Sequence, residues 1–245
     1  MFKTIKNAIK TPDVRKKLLY TLLLIVIFRL GCFITIPGVN SVMLNEIMSS
    51  SVNGLSNLID IISGGAFSRF SIFAMSITPY ITASIVIQLL AMIIPSLERL
   101  TKEGGEEGRR KIAKYTKIVT IILALVESTG IYLSYQSTGI FVDPGFLTGA
   151  LVVASLVAGT ALLTWLGEQI DSKGIGNGIS LIIMAGIVSS MPSMMVTAFE
   201  TLMDFSTTNA IIAGSAKFLL FLIVCVLVVI GVIFVEGAAR RISIQ

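Results

Sequence analysis

NLIDIISGGAFSRFSIFAMSITPYITASIVIQLLAMIIP, residues 57–95, is apolar enough to enter a membrane, but it is interrupted. A short apolar piece, Leu58 to Ile62, runs into Ser63-Gly64-Gly65. A full-length apolar run then starts near Phe70, with Pro79 inside it. A spanning helix needs roughly 20 apolar residues. The first piece is therefore expected to be a stub that enters the membrane zone without crossing. The glycines hinge it to a crossing helix, about Phe70 to Ile94, which Pro95 closes. Irregular backbone at membrane depth is tolerated only against protein or a water-filled cavity, so the stretch predicts a cavity.

The rest of the chain has the same character. Of its 245 residues 54% are hydrophobic and only 13% charged, against about 25% charged in soluble domains. Mean hydropathy is +0.91. These values predict an all-α polytopic membrane protein. The basic N-terminus, MFKTIKNAIKTPDVRKK, has no small-residue cleavage site closely following a short apolar core, so the first apolar run is expected to be a retained span. Histidine is absent, which removes the commonest metal ligand. Cys32 and Cys225 lie in apolar runs and are expected to be small buried hydrophobes, with no disulfide framework.

Six spans are expected: Leu18–Ile36 with Arg29 in its second half, Phe70–Ile94, Ile118–Tyr135, Phe146–Leu166, Ile179–Phe199 and Ile211–Val235. Residues 1–17 form a basic cytoplasmic segment, with an amphipathic surface helix broken at Thr11-Pro12 or a solvated tail. Residues 18–199 form a five-helix body, and residues 200–245 the sixth span with the start of a loop. The fourth span is rich in small residues, Gly149, Ala150, Ala154, Ser155, Ala158, Gly159 and Ala161, which let helix backbones approach closely. Of the 19 lysines and arginines, 16 fall on one side if the six spans alternate; Arg29, Arg69 and Lys217 are the exceptions. The positive-inside rule makes that side, and the N-terminus, cytoplasmic. Had Leu58–Ile62 crossed, the basic loop 96–117 would lie outside.

Little in the sequence suggests catalysis. GIGNG, residues 174–178, does not match GxGxxG and follows no strand; it is expected to be a tight turn with φ > 0 available at each glycine. No Ser/His/Asp arrangement is possible without histidine. Glu168 and Glu236 lie at span edges. Glu127 lies near mid-span and suits a proton-coupled transporter. Ile77, Ile81 and Ile85 share one helical face by their i, i+4, i+8 spacing, and Ile179 and Ile183 are also i, i+4. From spacing alone, each isoleucine suits lipid contact or core packing.

Five stretches carry a resemblance: FRLGCFITIPG (28–38), SGGAFSRFSIFAMSITPYITASIVIQLL (63–90), EGRRKIAKYT (107–116), WLGEQIDSKGIGNGIS (165–180) and VEGAARRISIQ (235–245). The chain closely resembles the N-terminal half of the SecY family of protein-translocation channels. The resemblance implies half of a ten-helix clamshell: six transmembrane helices plus a short re-entrant plug helix. It implies a plug at Asn57, Leu58, Ile59, Asp60, Ile61, Ile62, Ser63, Gly64 and Gly65, extending to about residue 66. It implies a pore ring that includes Ile77, Ile81, Ile179 and Ile183. The second and third spans would form one side of a lateral gate, with Thr82, Ile85, Gln88, Leu89 and Ile122. Arg109, Arg110, Lys111, Arg240 and Arg241 would make cytoplasmic contacts.

The implied activity is passage of unfolded polypeptide across, and of signal segments laterally into, the bacterial cell membrane. The implied partners are SecE and SecG subunits, a ribosome or SecA, the nascent chain with its signal sequence, and membrane lipids. No cofactor, enzyme activity or small-molecule substrate is implied. The family continues past RRISIQ into a cytosolic loop and four more spans, so the chain is expected to be a fragment. The competing expectation, from the residues alone, is a secondary transporter with a discontinuous helix.

Overall fold

The computed structural model describes residues 11–50, 54–102, 104–203 and 208–237. Among them the regular structure is helical: α1 Pro12–Gly31, α2 Ser41–Ser50, α3 Gly54–Ser63, α4 Thr78–Ile93, α5 Pro95–Lys102, α6 Gly105–Tyr135, α7 Phe146–Lys173, α8 Gly178–Leu202 and α9 Thr208–Glu236. Two isolated antiparallel bridges, Thr35 to Ser71 and Val39 to Phe141, are the only strand-like pairings among these residues.

The Thr11-Pro12 break is the start of α1. Thr11 is extended and Pro12 occupies the first turn, where its missing N–H removes no helical bond. Asp13 in the first turn and Arg29 in the last suit the helix dipole. The helix ends at Gly31, short of the expected Ile36. Beyond it the chain pairs with the interrupted element instead: Ile36 N donates to Phe70 O at 3.1 Å and Ile72 N to Ile34 O at 3.0 Å. The surface helix expected before Thr11 lies outside the described residues.

The stub is a helix of ten residues, α3. At 1.5 Å per residue it reaches about 15 Å, half the hydrocarbon core. The crossing helix expected from Phe70 differs from expectation: residues 64–77 are a series of turns, and α4 begins only at Thr78. Phe70 at φ +48° and Ser76 at φ +51° adopt left-handed backbone, which a right-handed helix cannot contain. Pro79 therefore sits in the first turn of α4, not inside the helix. With 16 residues, α4 spans about 24 Å. A bend of 103° separates it from α5.

Six spans were expected. Among the described residues four helices are long and apolar enough to cross, α6 to α9, and there is a fifth only if the bent pair α4–α5 counts as one span. Helix α1 stands outside that count because Asp13, Arg15, Lys16 and Lys17 crowd one end and Arg29 the other.

Residues 66–77, apart from the exposed Arg69 and the half-buried Ser68 and Ile72, are the buried centre of the first compact unit, which runs to Ser190. Two glycines admit them. A Cβ on Gly31 of α1 would strike the Phe73 ring, and one on Gly159 of α7 would strike the Ile72 carbonyl oxygen. One apolar cluster gathers Phe67, Phe70, Met75, Ile140, Phe141 and Leu156; Phe70 meets Phe141 edge-on at 5.7 Å. The other gathers Leu24, Phe28, Phe73, Ile77, Leu163, Ile170 and Ile182. The small-residue span thus packs as expected, though through Gly149 and Gly159; Ala154, Ala158 and Ala161 are exposed. The second unit, Met191–Gln245, holds the end of α8, with Pro192 inside that helix, and α9. In it Phe199 meets Phe218 edge-on at 5.4 Å.

Candidate functional site

The four isoleucines at the starts of α4 and α8 lie in or against one apolar cluster. Ile77 is 1% exposed, and Ile81, Ile179 and Ile183 are half-buried against the same apolar cluster. Ile77 is the N-cap of α4, and its carbonyl accepts from Tyr80 N at 3.0 Å and Ile81 N at 3.1 Å. Ile77 and Ile81 are thus one turn apart at the helix start.

The loop before α8 positions the second pair. Asn177 Oδ1 accepts from Ser180 N at 3.1 Å, an N-cap, and Asp171 Oδ1 accepts from Gly178 N at 2.7 Å. Thr21 of α1 ties in the same loop: its Oγ1 accepts from Ile175 N at 3.1 Å. Of the glycines in GIGNG, only Gly176 has positive φ, at +78°. Gly174 and Gly178 instead serve close approach. A Cβ on Gly178 would strike the Gly167 carbonyl oxygen, and one on Gly174 would lie 2.5 Å from Thr21 Oγ1. Between the starts of α4 and α8 lies a cleft of about 260 Å³, lined by Tyr80, Ile81, Ser84, Asp171, Asn177 and Ile179 among others.

The expected plug ends in a hydrogen-bonded knot. Gly65 N donates to Asp60 O at 2.9 Å and Gly64 N to Ile61 O at 3.2 Å, the double bond pattern of a Schellman cap. Gly64, at φ +69°, supplies the left-handed residue this cap requires. Asp60 Oδ1 accepts from Ser68 N at 2.7 Å, and Ser63 Oγ accepts from Phe67 N at 3.1 Å. Ser63 and Gly64 are buried, Ile59, Asp60, Ile61 and Gly65 half-buried, and Ile62 exposed. The side chains of Asn57 and Leu58 lie outside the described residues.

Sequence reasoning missed what holds this knot. Arg29 Nη1 donates to Gly64 O at 2.9 Å. Ser190 Oγ donates to Ile61 O at 3.4 Å, and Cys32 Sγ lies 3.9 Å from Ser63 O. A Cβ on Gly186 would lie 2.5 Å from Ile62 O. The one available signal was Arg29, a charge inside an apolar run.

The expected lateral-gate residues Thr82, Ile85, Gln88 and Leu89 are exposed on α4, and Ile122 is exposed on α6. Arg109, Arg110 and Lys111 are exposed in the first turns of α6, with Arg110 3.9 Å from Glu106. Arg240 and Arg241 lie outside the described residues. Nearby, Glu98 holds the exposed Lys102 ammonium above its usual range, first through a 2.7 Å hydrogen bond and then through its charge. Glu168 is paired with Lys117 at 2.7 Å across α6 and α7. Glu127 is half-buried on α6, with no hydrogen bond or ion pair among the described residues.

A helical membrane protein with a short non-spanning helix seated beside a cluster of isoleucines is the class this fold defines. The SecY family profile matches residues 71–245. The chain is 43% identical over 249 residues to protein translocase subunit SecY of Bacillus subtilis, covering 100% of this chain and 57% of that protein. It is 41% identical over 240 residues to the same subunit of Escherichia coli K12, covering 95% and 52%. In fold it is similar to Sec61 in the canine ribosome-channel complex, with a TM-score of 0.63 at 20% identity, covering 96% of this chain and 51% of that one. A structure described as a protein-conducting channel gives 0.54 at 21% identity, covering 75% and 38%. The chain belongs to the SecY family. It spans about half the length of the curated relatives it matches.

Proposed function

We propose that this chain forms half the wall of a passive conduit for unfolded polypeptide, with Ile77, Ile81, Ile179 and Ile183 in its constriction and α3 as the plug. The convergence of those four isoleucines in one cluster, from two helices about a hundred residues apart in sequence, carries the reading. A narrow apolar ring disfavours a continuous water column and gates by dewetting. It also offers no fixed hydrogen-bond partner, so any sequence can slide past. Thr82, Ile85, Gln88, Leu89 and Ile122 form one side of a lateral gate toward lipid; their exposure supports this.

The protein sits in the bacterial cell membrane with its N-terminus cytoplasmic, as the distribution of basic residues supports. It is not an enzyme. SecE and SecG are its companion subunits. A ribosome or SecA, engaged partly through Arg109, Arg110 and Lys111, supplies the driving force. Deleting Leu58–Ile62 in a full-length channel containing this chain should let a reporter with a weakened signal sequence be exported several-fold better. Unchanged signal stringency would remove the plug from this reading.

Two observations favour a second reading, a secondary transporter: the discontinuity at residues 64–77 and the unpartnered Glu127. Under the channel reading Glu127→Gln leaves export of a normal reporter within about twofold of wild type. A complete loss of export would favour the transporter.

A further inference from the structure

The C-terminal knot of α3 is held from two sides. From α1 comes a guanidinium, Arg29, whose Nη1 donates to Gly64 O at 2.9 Å. From α8 comes a small-residue seat: Gly186 lies against Ile62 and Gly64, and the Ser190 hydroxyl is shared between Ile61 O at 3.4 Å and Gly186 O of its own helix at 3.3 Å. Ile179, Ile183, Gly186 and Ser190 recur at i, i+4, i+7 and i+11, which places them in one narrow arc of α8. The face that carries two ring isoleucines therefore continues, one turn on, into the seat of α3.

We infer that α1 and α8 form a two-jawed latch on α3, in which Arg29 is the positioning residue that holds the plug seated at rest. The inference rests on the reading of α3 as plug. Its physical basis is the setting of Arg29, whose guanidinium lies 6.0 Å from the Phe33 ring centroid and bonds the knot. A guanidinium within an apolar run is costly unless it finds a partner. Among the described residues it has no carboxylate within ion-pair distance; its hydrogen bond goes to a backbone carbonyl at the negative end of a helix. Hydrogen bonds to a charged group are stronger than neutral ones. The seat on α8, in contrast, is built from small groups and a neutral hydroxyl. Of the contacts that α1 and α8 make with the knot, Arg29 is thus the strongest. Displacing α8 as the ring widens moves the other jaw away from the neighbouring carbonyls, Ile61 O and Ile62 O.

The seat also explains why the knot and the α8 jaw each need glycine. Gly64 holds a left-handed φ, and a Cβ there would lie 2.5 Å from Arg29 Nη1 and 3.0 Å from Gly186 Cα. A side chain at position 186 would press on Ile62 O at 2.5 Å. Gly186→Val should therefore unseat α3 from the α8 side without altering any ring isoleucine.

The test uses full-length channels in the four combinations of Arg29→Met with deletion of Leu58–Ile62. Each is scored for membrane abundance and for export of a reporter with a weakened signal sequence, per channel. Arg29→Met alone should raise that export roughly tenfold or more, the shift expected when a hydrogen bond to a charged group is lost. Arg29→Lys, which keeps the charge, should fall between wild type and Arg29→Met. In the deletion background Arg29→Met should add nothing, because the latch then has nothing to hold. If the deletion relaxes stringency and Arg29→Met does not, the latch is overturned and the plug reading stands. If Arg29→Met has the same effect in both backgrounds, Arg29 acts elsewhere and the latch is overturned. If the deletion itself changes nothing, the plug reading fails and takes the latch with it. Should Arg29→Met lower membrane abundance too far to score, Gly186→Val is put through the same cycle, with the same outcomes deciding.

Discussion

Ile81→Asp, in a full-length channel containing this chain, should make the resting pore leak ions at ten times the wild-type rate or more. Ile81 is only half-buried, so a carboxylate there keeps access to water and the fold survives. Ile77, 1% exposed, is a harsher site, because an unpaired buried charge destabilises the fold itself. The expected leak follows from what an apolar ring does. Under the proposed reading, a constriction that includes these four isoleucines holds water poorly and stops ions that need hydration. A single carboxylate supplies hydrogen-bond acceptors inside the ring and attracts cations. Ile81→Leu keeps the surface apolar and should keep the seal. The check is ion flux from proteoliposomes holding matched amounts of each variant. Background flux from Ile81→Asp, together with uptake of a small molecule, would sink the channel reading.

Gly159→Val should prevent the fold from forming. At Gly159 the backbone of α7 meets the Ile72 carbonyl oxygen, and the Phe73 ring lies 3.4 Å from where a Cβ would stand. The obstacle is backbone in the buried 66–77 segment, so no side chain can rotate out of the way. Overpacking of a tight core ordinarily costs about 1–3 kcal/mol, and a backbone obstacle puts this change at or above the upper end. Three kcal/mol is roughly a hundredfold in the folded-to-unfolded ratio, a large share of the stability of an ordinary domain. Gly130 is the control. It is exposed in the C-terminal part of α6, with nothing within 4 Å of an added Cβ. Gly130→Ala should be neutral or stabilise by up to about 1 kcal/mol through higher helix propensity. Protease resistance of the membrane-inserted protein compares the two. If Gly159→Val resists protease like wild type, close approach of α7 to the 66–77 segment does not build this fold.

Where helices lie was largely written in composition. Leu58–Ile62 is too short to cross however it folds, because bilayer thickness and helix rise are fixed. The glycine break, the long apolar runs and the uneven placement of lysine and arginine are likewise local signals. The errors fall where tertiary contacts override local preference. Phe70–Ile77 is apolar enough for a helix, yet it is irregular. Its carbonyls and amides pair with Ile34 and Ile36, and Gly31 and Gly159 make room for it. A hydrophobicity pattern cannot distinguish that from a helix. Helix α1 stops early for the same reason.

The site divides along the same line. From spacing, Ile77 and Ile81 could be seen to share a face, as could Ile179 and Ile183, but not that both pairs pack on one apolar cluster. Arg29 stood out as a charge in an apolar run, without a partner to explain it. That partner is a backbone carbonyl, Gly64 O, and Gly186 contributes only by lacking a side chain. Neither leaves a mark that residue type alone can show. By itself, the sequence determined the membrane class, the short stub and its glycine hinge, because charge and apolar length act locally. Only the tertiary structure decided that residues 64–77 are irregular and buried, that the isoleucines converge, and that α3 is gripped between α1 and α8, because those outcomes depend on which backbones can approach one another.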